Sequence, residues 1–307
     1  MGTNTETRRR FLRASSLALA AGLAGCSTGT PDAASDGRST TTAATRRTTA
    51  TTTGTTTGTT AAVAGPKRGD DLPADPDPDD GYPPSFETTP EKRPVDTAAF
   101  ERINIGNVDV PLVPVDVAYY WYARGEARFA DARSETAYDA AHVFGAVSSP
   151  APSGGGDDDP TSSWSESDRV VCYCACPHHL SSMRAAGFSN DGYREAYAID
   201  EGFTAWRKRN YPVVGDDVTD VPTVRTIRGA TVSAYAGETA WAIEPASKQM
   251  EATAIGSDGR YVLDLKFVDV DSTTAVRVKT PAYTVTSPLD VLTAGHITAD
   301  GSVASPE

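Results

Sequence analysis

The stretch VVCYCACPHH, residues 170–179, joins a β-branched apolar run to a segment rich in thiols and imidazoles. It contains three of the chain's four cysteines and two of its four histidines. The run RVVCYC, which begins one residue earlier, is typical of a strand buried on both faces, as in a parallel sheet. Side chains alternate along a strand, so Cys172 and Cys174 are expected on the same face.

Segments of strand and helix character alternate on both sides of this run. Their apolar spacing has period 2 in some segments and period 3.6 in others. This alternation predicts an α/β fold, in which helices cover both faces of a parallel sheet. The predicted strands are residues 127–133 and 195–200, and the predicted helices are residues 113–125, 134–142, 181–188 and 202–213.

Three blocks of this region resemble the rhodanese family, in the family's own order. FADARSETAYDAAHVFGAV (129–147) resembles its first signature, VVCYC (170–174) its active-site strand, and GYREAYAIDEGFTAW (192–206) its closing strand and helix. The resemblance implies a rhodanese-like fold and a sulfurtransferase. In that family a cysteine thiolate accepts sulfane sulfur from a donor such as thiosulfate and passes it to a nucleophile.

By this resemblance Cys174 takes the position of the catalytic cysteine. A thiol at the end of a parallel strand lies among backbone N–H groups and near a helix start, which lower its pKa and hold an anion. The family places four residues between this cysteine and an arginine followed by Ser or Thr. Six residues separate Cys174 from Ser181, whereas four separate Cys176 from Ser181, which then stands in the arginine's place. Cys176 therefore remains open as an alternative nucleophile or a resolving thiol.

Both registers lack the arginine, and His178 and His179 are the candidate replacements. Near neutral pH an imidazole is mostly uncharged, so thiosulfate activity is expected to be poor. A weaker alternative is a zinc or copper site formed by Cys174, Cys176, His178 and His179. Their spacing is too compact to surround one tetrahedral ion easily, so no metal and no cofactor is predicted.

Four further residues are predicted to have structural roles. Asp131 and Arg133 are expected to hold the end of a strand through a charge-assisted pair. His142 is expected to be a hydrogen-bonded turn residue, and Cys172 a small hydrophobic side chain in the core.

The N-terminus predicts export. TRRRFLR precedes an apolar run, residues 15–25, that is shorter than the roughly 20 residues a membrane span requires. The paired Arg8 and Arg9 resemble a twin-arginine signal, and LAGC resembles a lipobox that ends at the lipid-modified Cys26. Residues 1–25 are therefore predicted to be a signal, and the mature protein to be lipid-anchored on the extracytoplasmic face of the cell membrane.

Composition separates the rest of the chain into regions. The net charge is −13, and loss of the four arginines and one glutamate of the signal leaves about −16. Nucleic acid is excluded as a partner, because phosphate binding requires clustered Lys and Arg. Residues 26–92 are rich in Thr, Pro and Asp without apolar periodicity, which predicts a lipid-anchored disordered stalk. The rhodanese-like domain is predicted over residues 93–218.

Residues 219–307 change to alternating and β-branched runs, which predict a small antiparallel β-sandwich. Ser257, Asp258 and Gly259 form a hairpin signal. This region contains no cysteine. It is therefore predicted to bind a protein partner or to act as a spacer.

Two functions remain open at this point. One is a sulfurtransferase that moves sulfane sulfur through a cysteine persulfide. The other is a catalytically inactive rhodanese-type module that binds a partner, a sulfur compound or a metal. The predicted partners of the enzyme are a small sulfur donor, a thiol or other nucleophilic acceptor, and the membrane through the lipid.

Overall fold

Strands and helices alternate through the middle of the chain, as the sequence predicts. The computed structural model describes residues 63–154, 156 and 159–305, which lie within one compact unit, Thr59–Glu307. The predicted signal, Cys26 and the first part of the predicted stalk lie outside the described residues. The helices are α1 (Val115–Ala123), α2 (Glu135–Ala140), α3 (Leu180–Asn190), α4 (Gly202–Lys208) and α5 (Leu289–Ala294). None of these described helices has the length and apolar character needed to cross a membrane.

The strands fall into an α/β part and a β-rich part. The first eight strands are β1 (Arg102–Ile105), β2 (Val108–Val113), β3 (Arg128–Asp131), β4 (His142–Val143), β5 (Val147–Ser148), β6 (Arg169–Tyr173), β7 (Glu195–Ile199) and β8 (Val213–Val214). The last eight strands are β9 (Arg225–Ala230), β10 (Thr239–Ile243), β11 (Met250–Ala254), β12 (Arg260–Leu265), β13 (Ala275–Lys279), β14 (Thr284–Pro288), β15 (His296–Ile297) and β16 (Val303–Ala304).

A six-stranded sheet forms the centre of the α/β part, in the order β1-β2-β7-β6-β3-β5. All neighbouring pairs from β2 to β5 run parallel, and β1 pairs with β2 antiparallel. Helices α1 and α4 contribute to the core on one face, and α3 contributes to the core on the other. The predicted parallel sheet with helices on both faces is confirmed.

Strand β6 is buried on both faces, which explains its continuous apolar sequence. Val171 and Tyr173 belong to the core under α1 and α4. Val170 and Cys172 belong to the core under α3. Cys172 has no exposed surface and packs as a small apolar side chain, as predicted.

Aromatic rings fill the core on the α1 and α4 face. The ring of Tyr122 lies 5.1 Å from Trp206 and 5.4 Å from Phe129, both nearly perpendicular, and Tyr119 stacks on Tyr211 at 3.6 Å. Each such pair contributes about 0.5 to 1.5 kcal/mol beyond the burial of its area. This cluster fixes α4, and therefore the chain that leaves β7, against the sheet.

The N-terminal segment, residues 63–93, differs from the predicted stalk because it packs on this aromatic core. Val63 and Phe86 pack against the cluster, and the ring of Phe86 lies 5.6 Å from that of Tyr122. The ammonium group of Lys67 lies 4.5 Å from the Tyr119 ring and 4.4 Å from the Tyr211 ring. Single anchors in an extended chain leave no periodic pattern, so composition alone did not reveal them.

The same segment is hydrogen-bonded to β3. The amide of Phe129 donates to the carbonyl of Gly81 at 2.7 Å. The Arg128 guanidinium donates to the carbonyl of Asp80 and lies 4.5 Å from the Tyr82 ring. These contacts join the segment to the sheet as well as to the helices.

The C-terminal β-sandwich, formed by β9 to β16 with α5, consists of two four-stranded sheets. Their orders are β11-β10-β13-β14 and β12-β9-β15-β16, and one apolar core contains side chains from both. The sheets are not wholly antiparallel, since β15 pairs with β9 in parallel. The Ser257-Asp258-Gly259 turn does not close a hairpin. It connects β11 to β12, which lie in different sheets.

Trypsin tests the packing of the N-terminal segment. Cleavage is expected first after Arg38, Arg46 or Arg47, and much later after Lys67 or Arg68. The backbone N–H of Arg68 is bonded to Asn210 at 2.7 Å and Lys67 covers two rings, so a protease must first detach this stretch. Intact-mass analysis of the early fragments identifies the cut. Early cleavage after Lys67 would show that residues 63–93 are free, as the composition predicts.

Candidate active site at the cysteine loop

The cysteine loop, residues 174–179, connects the carboxyl end of β6 to the start of α3. Strands β3 and β7 flank β6 and run parallel to it, so the loop leaves the middle of the sheet's carboxyl edge. Ligands of open α/β sheets bind at this edge, where chains diverge from neighbouring strands. The sheet thus positions the loop where a site is expected.

Cys174 contacts both the cysteine loop and the first turn of α3. Its Sγ lies 3.3 Å from Ser181 Oγ and 3.2 Å from the carbonyl oxygen of Cys176, and the side chain has no exposed surface. Burial raises the pKa of the thiol, and the charge of Glu251 raises it further. Hydrogen bonds from Ser181 and the backbone N–H of Leu180 act in the opposite direction. In this closed arrangement Cys174 is a neutral thiol beside donors that favour its anion.

The start of α4 holds the other side of the loop. Gly202 has a φ of +69°, and a Cβ at this position would lie 2.5 Å from the carbonyl oxygen of Cys176. The amide of Phe203 donates to the carbonyl of Cys174 at 2.8 Å. The glycine of the GFTAW block is therefore required by this close approach of two backbones.

Cys176 faces the C-terminal β-sandwich. Its Sγ lies 3.8 Å from Glu251 Oε1 and 3.6 Å from the carbonyl oxygen of Asp264. Burial and Glu251 raise the pKa of this thiol to about 12, although Lys266 lowers it. Cys176 is therefore also protonated, and it contacts a different set of groups from Cys174.

Glu251 and Lys266 are ionisable residues that the sandwich brings to the loop. The Lys266 ammonium donates to the carbonyl of Ala175 at 3.0 Å and to Thr204 Oγ1 at 3.3 Å. Burial raises the pKa of Glu251 to about 8, against the opposing effect of Lys266. Glu251 Oε2 has no hydrogen-bond partner among the described residues.

The sandwich also covers the loop with apolar side chains. A buried cluster joins Cys174 to residues of both parts, and its members are Ala132, Ala151, Cys174, Leu180 and Ala252, with Met183, Trp241 and Met250 packed against them. Cys174 is therefore separated from solvent by strands β10 and β11. This cover was not predicted from the sequence. The available signal was the acidic Glu251 between the apolar Met250 and Ala252 in a predicted strand.

The two histidines lie at the start of α3, beyond the thiols. His178 has a φ of +35°, and its Nε2 lies 3.6 Å from Asp200 Oδ1. Burial lowers the pKa of His179, and the charges of His178 and Lys266 lower it further. Neither ring is hydrogen-bonded to Cys174 in the described structure. Protonation of His179 is thus disfavoured, although this histidine was a candidate to replace the charge of the family's arginine.

The residues with expected structural roles lie beside the loop. Arg133 forms a forked pair with Asp131, with NH2 2.5 Å from Oδ2, and also donates to the carbonyl of Ala141 at 2.6 Å. His142 Nδ1 lies 2.7 Å from the carbonyl oxygen of Tyr138, and burial lowers its pKa. These bonds link the ends of β3 and α2 to β4, so His142 is hydrogen-bonded as expected but lies in a short strand rather than in a turn.

The alternative metal site is not assembled in this structure. Within residues 63–154, 156 and 159–305, no three His, Cys, Asp or Glu side chains gather in a way that suits a metal ion. Cys174 and Cys176 contact different partners, and His178 is directed to Asp200.

Comparison with known proteins agrees with the fold of this part of the chain. Residues 116–209 match the family described as the rhodanese-like domain, and this part of the chain is a rhodanese-like domain. Over 45 residues the chain is 42% identical to thiosulfate sulfurtransferase GlpE from Vibrio cholerae serotype O1. The match includes 14% of this chain and 39% of that protein, so the chain spans about two fifths of the relative's length.

Two solved structures are also similar. The rhodanese-like domain of a protein from Anabaena sp. is 20% identical, with a TM-score of 0.31, over 37% of this chain and 85% of that one. A protein from Bacillus halodurans is 26% identical, with a TM-score of 0.31, over 34% of this chain and 76% of that one.

The buried carboxyl group of Glu251 predicts a specific dependence of stability on pH. Its folded-state pKa of about 8 lies above its ordinary 4.5, so the protonated form favours the folded state. The stabilisation of the folded state by the protonated carboxyl is complete below the ordinary pKa and is lost as the pH rises through about 8. The free energy of unfolding of Glu251→Gln, relative to that of the wild type, should therefore increase by on the order of a few kcal/mol from pH 5 to pH 8.5.

Urea denaturation of both proteins at the two pH values measures the difference. Glu238→Gln, at an exposed position of the same sandwich, is the matched control and should follow the wild type at both values. An equal stability difference between Glu251→Gln and wild type at pH 5 and pH 8.5 would show that Glu251 is ionised throughout.

Proposed function

We propose that the rhodanese-like domain is a sulfurtransferase that carries sulfane sulfur on Cys174. The supporting observation is the position of Cys174 Sγ, at the carboxyl end of β6 and 3.3 Å from Ser181 Oγ, with N–H groups of the α3 start directed to it. These donors are arranged to hold a thiolate or a persulfide anion. Cys176 lacks this set of donors, which favours Cys174 as the nucleophile.

The transfer consists of two displacements at sulfur. The Cys174 thiolate attacks the sulfane sulfur of a donor persulfide, the donor thiolate leaves, and a Cys174 persulfide forms. An acceptor thiolate then attacks the outer sulfur, and the Cys174 thiolate leaves. Each step exchanges one S–S bond for another, so no external oxidant or reductant is required.

The donor is expected to be a persulfide or polysulfide rather than thiosulfate. The family's loop arginine is absent, Arg133 is paired with Asp131, and burial opposes protonation of His179. Loss of one charge-assisted contact is typically worth about 1.5 to 3 kcal/mol, which weakens binding of a small dianion by roughly tenfold to a hundredfold. A persulfide depends less on such a contact.

Donor access requires that the sandwich move away from the loop. Cys174 has no exposed surface and lies under Trp241, Met250 and Ala252. The same burial favours the second candidate function, a catalytically inactive module that binds a partner or sulfur compound. The two functions differ in whether sulfur becomes covalently attached.

Mass spectrometry after incubation with a polysulfide, and separately with thiosulfate, distinguishes them. The wild type should gain one sulfur, about 32 Da, on the peptide containing the cysteine loop, and gain it faster from the polysulfide. Cys174→Ser should abolish the gain, and Cys176→Ser should keep the first labelled intermediate but change turnover. Cys172→Ala, in the core under α3, is the control and should still be labelled.

Three outcomes would change the assignment. Label that persists in Cys174→Ser but disappears in Cys176→Ser would move the nucleophile to Cys176. Absence of label on every cysteine, with the protein folded, would favour the binding module. Tight stoichiometric zinc or copper in the unlabelled protein would identify that module as a metal-binding one.

The proposal includes attachment to the extracytoplasmic face of the cell membrane through Cys26. Its support is the sequence alone, namely the paired arginines, the short apolar run and the LAGC site. One lipid chain binds a membrane only marginally, so stable attachment requires more than one acyl chain.

Cell fractionation tests this attachment. The wild type should sediment with membranes, and Cys26→Ser should be released or remain unprocessed. In detergent phase separation the wild type should partition into the detergent phase, and Cys26→Ser should not. A wild-type protein found wholly in the soluble fraction would contradict the proposal.

A further inference from the structure

A cleft of about 530 Å³ lies beside the cysteine loop, between the rhodanese-like domain and the C-terminal β-sandwich. Helices α2 and α4 form one wall, residues 216–224 form another, and the chain after β12 closes the third. This volume is within the range of roughly 300 to 1,000 Å³ that is usual for small-molecule sites. The sulfur chemistry proposed for Cys174 does not use this cleft, since Cys174 does not line it.

In the described part of the chain, two guanidinium groups in this cleft form no ion pair with a carboxylate. Arg207 donates through NH2 to the carbonyls of Val218 and Asp220, at 2.8 and 2.7 Å. Its Nε is buried without a hydrogen-bond partner among the described residues. Arg68 donates through Nε to the amide oxygen of Asn210 at 3.2 Å. Among the described residues no carboxylate forms an ion pair with either arginine.

Arg207 lies near two further guanidinium groups as well as two carboxylates. Burial lowers the pKa of its guanidinium, and the nearby charges of Arg68 and Arg133 lower it further. Asp220 and Asp217 oppose this effect only in part. A bound anion would reverse the repulsion and would give the buried Nε an acceptor.

The remaining surface of the cleft defines the rest of the ligand. Its walls include the side chains of Val221, Val224 and Val268. Val224 is half exposed, at 51%, so this wall is unfilled apolar surface. Exposed aspartates, among them Asp216 and Asp269, stand at the cleft and disfavour a ligand with several negative charges.

We propose that this cleft binds a small organic monoanion, whose carboxylate or sulfonate group pairs with Arg207 and Arg68 while its apolar body packs on Val221 and Val224. The site depends on both parts of the chain, because Arg207 belongs to α4 and Val268 to the sandwich. Lys266 lines the same cleft and holds the carbonyl of Ala175, so a bound anion lies next to a group that fixes the cysteine loop.

Isothermal titration of the purified full chain with benzenesulfonate tests the site. Benzyl alcohol and benzylammonium have the same ring with no charge and with the opposite charge. Benzenesulfonate should bind saturably, and the other two probes should bind at least roughly tenfold more weakly, since they form no charge-assisted bond with a guanidinium.

Variants assign the binding to the cleft. Arg207→Gln should weaken benzenesulfonate binding by roughly tenfold to a hundredfold. Arg277→Gln, at an exposed position on β13, is the matched control and should bind as the wild type does. If Arg207→Gln fails to fold, as judged by circular dichroism, Arg68→Gln and Val224→Asp provide the same test at half-buried and exposed positions.

The possible outcomes either support or overturn the anion site. Weaker binding in the cleft variants, with unchanged labelling of Cys174 by polysulfide, supports a ligand site that is distinct from the sulfur chemistry. Equal binding of all three probes, or wild-type affinity in both arginine variants, overturns the anion site. Absence of saturable benzenesulfonate binding up to roughly 10 mM, weaker than about −3 kcal/mol, also overturns it.

Discussion

The carbonyl oxygen of Ala175 accepts two hydrogen bonds from different parts of the chain, and the closed form of the site depends on this convergence. One comes from Thr204 on α4 at 2.9 Å and the other from the Lys266 ammonium at 3.0 Å. A hydrogen bond from a charged group is worth about 1.5 to 3 kcal/mol when its partner is otherwise buried. The cysteine loop is thereby fixed between a helix of the rhodanese-like domain and a strand end of the sandwich. The same packing of the sandwich on the loop places Glu251 next to the Cys176 thiol and covers Cys174 with apolar side chains.

The α/β core was predictable because its signals are local. The period of each segment, the Ser134 cap and the continuous apolar run of β6 indicate the elements, and Ser134 does accept from the amide of Ala137. Cys174 at the end of β6 follows from the same pattern and from the family resemblance. Its proximity to Ser181 also follows, since the loop must return to the first turn of α3.

The cover of the site was not predictable from the same signals. Cys176 meets residues 75 and 88 positions away in the sequence, and strand patterns specify only which face of a sheet is apolar, not what covers it. The N-terminal segment escaped prediction for a different reason. Its anchors, such as Phe86 on Tyr122, are single side chains in a chain dominated by Pro and Asp, and composition averages them away. The Ser257-Asp258-Gly259 turn was read correctly as a turn, but its residues do not specify whether the next strand stays in the same sheet.

The complete burial of Cys174 has a consequence for how its chemistry is observed. A reagent reaches the sulfur only in the fraction of molecules in which the sandwich has left the loop. When reclosing is faster than the reaction, the measured rate equals the intrinsic thiolate rate multiplied by that open fraction, as for a protected amide in hydrogen exchange. The sulfur atom is therefore a built-in reporter of domain separation. Its modification rate, compared with that of an unfolded peptide of the same sequence, gives the free energy of opening without a spectroscopic label.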